Sequence, residues 1–103
     1  MRNTVEAKYR SEASYLANQI VGAIWVDRAN LSNYDSTVST YAPRDNWVGQ
    51  VNARLPMATT YTPVIVVAGN QVTVTVRWLR PGEDPGTGDI NVSRHLVIAQ
   101  ING

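Results

Sequence analysis

Cysteine is absent from this 103-residue chain, and lysine and histidine occur once each, as Lys8 and His95. Without cysteine there are no disulfides, no thiolate chemistry and none of the usual structural zinc sites. That absence assigns no compartment, since exported proteins also dispense with cysteine. No apolar run approaches the ~18–20 residues that a membrane-crossing helix needs, and Met1-Arg2-Asn3 does not open a signal peptide. The stretch by itself is expected to be soluble. An excess of charge is missing too. The formal net charge is +1, too small to point by itself to nucleic acid or an acidic membrane. Repeats and low-complexity segments are also absent.

What remains is a globular composition, 44% hydrophobic and 17% charged, in a length that suits one domain, residues 1–103. On a helical wheel, Val5, Tyr9, Ala13, Leu16, Ile20 and Ile24 share one sector. Ala17, Val21 and Trp25 form an adjoining one, and Ser11, Glu12, Tyr15, Asn18 and Gln19 hold the polar side. No proline interrupts the run. The pattern predicts a helix over about 3–30, ending before the Ser/Asn/Asp/Thr stretch that begins at Ser32. Such a helix is roughly 42 Å long, whereas a compact body of this size is only about 33 Å across. Its first, more polar turns are expected to project or lie exposed.

Residues 31–56 read as a polar connection, "SNYDSTVSTYAP", followed by a short helix from about Asn46 to Leu55. Trp47, Val48, Val51 and Leu55 recur there at helical spacing, Asp45 or Asn46 offers a cap, and Pro56 closes the segment. Residues 61–101 read as a β-meander. Tyr61 to Ala68 is β-branched and apolar, and Gly69-Asn70 makes a turn. Val72 to Leu79 alternates, with Val72, Val74, Val76 and Trp78 on one face and Thr73, Thr75 and Arg77 on the other. A Pro/Gly loop runs from Arg80 to Asp89. The last strand, Ile90 to Ile101, has apolar residues at both parities, and a bulge near Ser93-Arg94 would reconcile them. The fold class is α+β, a long N-terminal helix on a small antiparallel sheet of three to four strands.

Little here suits catalysis. There is no nucleophile elbow and no phosphate loop. His95, beside Arg94, reads as a surface or sheet-edge residue before it reads as a general base. Glu83, Asp84 and Asp89 share one loop without the regular acidic spacing of a calcium site, so a solvated turn is favoured over an ion site. No enzyme activity, cofactor, metal or small-molecule substrate is expected. Arg77, Arg80 and Arg94 form a candidate nucleic-acid patch, with a solvated face as the preferred reading because acidic residues stand beside them. Trp47 and Trp78 are expected in the core. Trp25 lies off the main helix stripe, and either packs under the long loop or meets another protein.

The order of these features resembles the PilV-type minor pilins, the type IV pilus modification proteins. The likeness is carried by Ala7, Arg10, Ala13, Leu16, Ala17, Gln19 and Ile20, by the closing Arg28-Ala29-Asn30, by Trp47, Val51 and Leu55-Pro56, and by the "VTVTVRW" strand, Val72 to Trp78. It is strongest over 3–30 and 47–79. The resemblance implies a pilin-like fold whose helix continues, in the native protein, from a leader and a membrane segment ahead of Met1. It implies an inner-membrane subunit facing the periplasm before assembly and lying in the extracellular pilus afterwards. Its work would be assembly initiation or a place at the fimbrial tip, in support of cell adhesion and twitching motility. Its partners would be other minor pilins, and the major pilin or a tip adhesin. Tyr9, Leu16 and Ile20 are then expected against the sheet, and Val5, Val21 and Trp25 against partner subunits. Two alternatives keep the fold: a pseudopilin of a type II secretion system, and a DNA-binding minor pilin for natural transformation that uses Arg77, Arg80 and Arg94.

Overall fold

The computed structural model describes the backbone of residues 2–79, 82, 84–87 and 91–101, and the side chains of all of these from Ala7 on. Helix α1 spans Arg2–Val26, a 3₁₀ segment spans Arg28–Tyr34, and helix α2 spans Ala42–Arg54. Strands β1 (Val64–Ala68), β2 (Gln71–Trp78) and β3 (Ser93–Gln100) follow. They form one antiparallel sheet in the order β1-β2-β3. The α+β class, the long first helix and the antiparallel meander are as the sequence predicts.

Helix α1 is shorter at its C-terminus than the 3–30 predicted. It stops at Val26, where the amide of Asp27 is shared between the carbonyls of Ala23 (3.0 Å) and Ile24 (3.1 Å), and the chain tightens into the 3₁₀ segment. The cause lies in Asp27. Its carboxylate accepts Asn30 Nδ2 at 2.8 Å, the Tyr34 hydroxyl at 2.9 Å and the Tyr41 hydroxyl. These bonds draw the following turn and the start of α2 back onto the end of α1. They hold the Asp27 carboxyl below the usual carboxylate range, with the Tyr41 bond first, and burial beside it pushes the Tyr34 phenol well up. The Tyr34 and Tyr41 rings meet edge-on, 5.0 Å apart.

The α1 stripe that enters the core is Ala13, Leu16, Ala17, Ile20 and Ile24, all buried. Tyr9 and Val21 pack at its margin. Ala17 belongs fully to this face, so the main and adjoining sectors merge into one stripe. At about 37 Å for 25 residues, α1 fits only the longest dimension of a body measuring 44 × 24 × 21 Å.

Helix α2 starts four residues before the predicted Asn46, because Pro43 sits in its first turn, where its missing N–H costs nothing. The predicted cap is also corrected. Asp45 lies inside the helix, and its carboxylate reaches back to accept the backbone N–H of Tyr41 at 3.1 Å. Trp47, Val51 and Leu55 face the core, and the Trp47 indole donates to the Leu16 carbonyl at 2.8 Å, fastening α2 to α1. After α2 the chain reverses through Pro56 and Met57, and β1 begins at Val64 instead of Tyr61.

The sheet turns Val72, Val74, Val76 and Trp78 of β2 toward α1, each fully buried. The predicted bulge near Ser93-Arg94 is absent. The β2–β3 register runs without a break from Gln71 opposite Gln100 to Trp78 opposite Ser93. The double parity of β3 has a different cause. Val97, Ala99 and Ile101 belong to the inner face, while Leu96 and Ile98 point outward and stay 52% and 60% exposed. Ile90 lies outside the described residues.

Candidate functional site

The hydrogen-bond phase of β3 follows from a contact at its end. Ile101 donates its N–H to the Asn70 carbonyl at 2.7 Å, so Val97 and Ala99, on the same phase, bond inward to β2. The alternate residues Arg94, Leu96, Ile98 and Gln100 therefore carry their N–H and C=O groups away from the sheet. Among the described residues, one side chain meets this row: Arg10 Nη1 donates to the Arg94 carbonyl at 3.3 Å. On β1 the outward residues are Ile65 and Val67. There Ser36 Oγ accepts the Ile65 N–H (2.8 Å), the Ser36 N–H donates to the Ile65 carbonyl (2.8 Å), and Asp35 Oδ2 accepts the Val67 N–H (2.8 Å).

The segment that supplies this cover was predicted as a plain polar connection. Asp35 Oδ1 also takes the backbone N–H and hydroxyl of Thr37, at 2.9 and 2.6 Å. The Thr37 hydroxyl first, then the Val67 amide, hold the Asp35 carboxyl below its ordinary range. Buried Arg44 fixes the segment from behind, with Nη1 on the Asp35 carbonyl (2.8 Å) and Nε and Nη2 on Asp45 Oδ1 (3.1 and 2.9 Å). The arrangement is a strap over one sheet edge.

The outer sheet face is the other exposed feature. Reading across the strands, Val66, Thr73 and Ile98 form one row, and Val64, Thr75 and Leu96 the next. Arg77 and Arg94 lie directly opposite each other in the row beyond. Like charges so placed repel. Arg77 is partly spent on its own chain, donating to the Thr62 carbonyl through Nη2 (2.6 Å) and Nε (3.3 Å). The Arg94 guanidinium has no partner among the described residues. Arg80 lies outside them, so the structure brings two of the three predicted arginines together.

Of the predicted partner-contact residues, Val21 and Trp25 stand one turn apart on α1. The side chain of Val5 lies outside the described residues, although its backbone is in α1. Val21 is half-buried against the core margin. Trp25 is 38% exposed, and next to it Val26, which the helical pattern did not single out, is 88% exposed. A signal for Val26 was present, since it is the last apolar residue before the charged Asp27-Arg28 pair.

His95 sits half-buried on the inner face of edge strand β3, opposite Val76. A groove of about 250 Å³ lined by Ser36, Arg44, Asp45, Trp47, Thr62 and Ile65, and one of about 150 Å³ between Gln19, Ile20, Ala23 and Asn46, both lie elsewhere. Asp84 is taken up by its own loop, with Oδ1 accepting the Gly86 N–H (2.8 Å) and its carbonyl accepting Asn91 Nδ2 (3.0 Å). Glu83 and Asp89 lie outside the described residues. Among those described, no group of three His, Asp or Glu side chains converges as metal ligands do, and no helix is long and apolar enough to cross a membrane.

Comparison of the chain with protein-family models, with curated proteins and with solved structures finds no match. The likeness to PilV-type minor pilins rests on the residues quoted from the sequence.

Proposed function

We propose that this chain is a minor subunit of a type IV pilus, acting through protein–protein contacts in assembly initiation or at the pilus tip. The observation that carries the reading is α1. It buries one stripe on the sheet and leaves Trp25 and Val26 exposed, 38% and 88%, on a helix longer than either cross-section of the body. A self-sufficient small domain has little use for such spare apolar surface, and a partner helix would cover it. In this role the partners are other minor pilins, with the major pilin or a tip adhesin beyond them. The direct test is co-purification of the domain with the minor pilins encoded beside it. Stable complexes that Trp25→Ala and Val26→Ser weaken support the reading. A folded domain that binds none of them rejects it.

A DNA-binding minor pilin is the second reading, favoured by Arg77 and Arg94 lying side by side on one face. Phosphate contacts weaken steeply with salt, so a gel shift that is lost on raising salt and on Arg94→Ala would select it. The apolar rows next to the two arginines favour a protein surface instead.

A further inference from the structure

We propose that β3 is a self-pairing edge: it docks antiparallel against β3 of a second copy, with Val97 on the twofold axis. Three observations carry this. First, among the described residues the outward amides and carbonyls of Leu96, Ile98 and Gln100 have no partner, and none of those residues forms a strap over them like Asp35-Ser36. An open, unprotected row of this kind is a template for another strand. Second, the row's phase selects the pairings. Outward residues must oppose outward residues, so even-numbered positions meet even-numbered ones.

Third, among those registers the one centred on Val97 pairs Arg94 through Gln100, seven of the eight strand residues, and suits the side chains. It sets Leu96 against Ile98 of the partner on the outer face, twice, and Arg94 against Gln100, twice. On the inner face His95 meets Ala99 and Val97 meets itself. No like charges are opposed, and the two exposed aliphatic side chains of each copy form cross-strand pairs. Centring on Leu96 would instead set Arg94 against Ile98, and centring on Ile98 would set Leu96 against Gln100. The occupant is a second copy because β3, reversed, complements itself.

The pair joins two three-stranded sheets into one of six strands. One strand edge is small beside the roughly 1,200–2,000 Å² of a stable interface, so the pair is expected to be weak and concentration-dependent. The inference is independent of the pilus reading. A twofold normal to the sheet makes the two copies of α1 run antiparallel, whereas subunits entering one filament from one membrane share a direction. Binding to minor pilins and self-pairing therefore succeed or fail separately.

The test uses the whole chain. Sedimentation across roughly a hundredfold range of concentration should show reversible dimerisation. Ile98→Lys should weaken it at least about tenfold, because a cation then faces Leu96 of the partner at both ends. As the chain has no cysteine, Val97→Cys introduces the sole thiol. Its Cα on the axis, about 4.5 Å from its mate in a non-hydrogen-bonded pair, is within disulfide range. Mild oxidation should give a covalent dimer from Val97→Cys and little from Leu96→Cys, whose mates lie two residues out of register. Amide exchange at Leu96, Ile98 and Gln100 should slow as concentration rises. A monomer at every concentration overturns the proposal, even if its β3 amides become protected on adding a different chain. So does a dimer indifferent to Ile98→Lys, or one that leaves Val97→Cys uncrosslinked. Circular dichroism of each variant confirms that the fold is intact.

Discussion

On β1 the outward amides of Ile65 and Val67 end on Ser36 and Asp35, whereas on β3 those of Leu96, Ile98 and Gln100 meet no acceptor among the described residues. Both are edge strands of one sheet, and both carry aliphatic side chains. The difference is a strap that is 29 to 32 residues away in sequence and that Arg44 pins from behind. An edge is closed by bringing side-chain oxygens to specific amides, and that takes a segment ordered for the purpose. Among the described residues, the outward row of β3 meets one side chain, Arg10, which donates to the Arg94 carbonyl and leaves the outward amides of the strand without an acceptor.

Removing the strap is the strongest way to break the contrast. In the double variant Asp35→Ala, Ser36→Ala the Ile65 and Val67 amides lose their acceptors. Stability should fall by about 2–3 kcal/mol, the cost of leaving two partly buried donors unmet. Urea denaturation measures this, and the newly bared β1 should also add self-association. Little loss of stability would show that water satisfies that edge as well as the strap does.

Acid provides a milder form of the same test. The carboxyls of Asp35 and Asp27 are both held below their free values, by hydrogen bonds from Thr37 and Tyr41 above all. A depressed pKa contributes stability that is full above about pH 5 and is withdrawn as pH falls through the free aspartate value near ~4 and then the lower folded values. Denaturation midpoints should drop across that window. Asp35→Ala should flatten part of the slope and Asp27→Asn another part. A wild-type profile that is flat from pH 6 to 3 would remove both carboxylates from the account.

Changes on the β3 side should be smaller. Arg94→Glu replaces a like-charge pair across from Arg77 with an attractive one and should stabilise by roughly 0.2–1 kcal/mol, read as a rise in thermal midpoint at low salt that shrinks in high salt. Ile98→Lys sits lowest, within about 0.5 kcal/mol of wild type, because its side chain is exposed. A large loss there would mean that β3 is covered within the monomer.

The inner face of β2 and the α1 stripe were legible because burial leaves a period: two along β2, close to 3.6 along α1. The Trp47 and Trp78 anchors were legible for the same reason. The 3₁₀ turn after Val26 was not, since Asp27 reads as an ordinary helical surface residue until Tyr34 and Tyr41 arrive beside it. The strap was equally hidden, because "YDSTVS" carries loop composition whether or not its oxygens meet a strand. For β3 the sequence showed apolar residues at both parities. A bulge was a reasonable guess from alternation alone, but an exposed aliphatic row was the outcome. Of the candidate contact residues, Trp25 was legible as a residue off the stripe. The pairing of Arg77 with Arg94 became visible only once the register was known.

By itself, then, the sequence determined which residues are apolar at which spacing, and hence a long helix, a short one and a meander of three to four strands with the buried face marked on β2. Only the tertiary structure decided which edge is strapped, where α1 ends and which charges face each other. Those depend on hydrogen bonds and registers between segments tens of residues apart, and local periodicity carries no information about such distances.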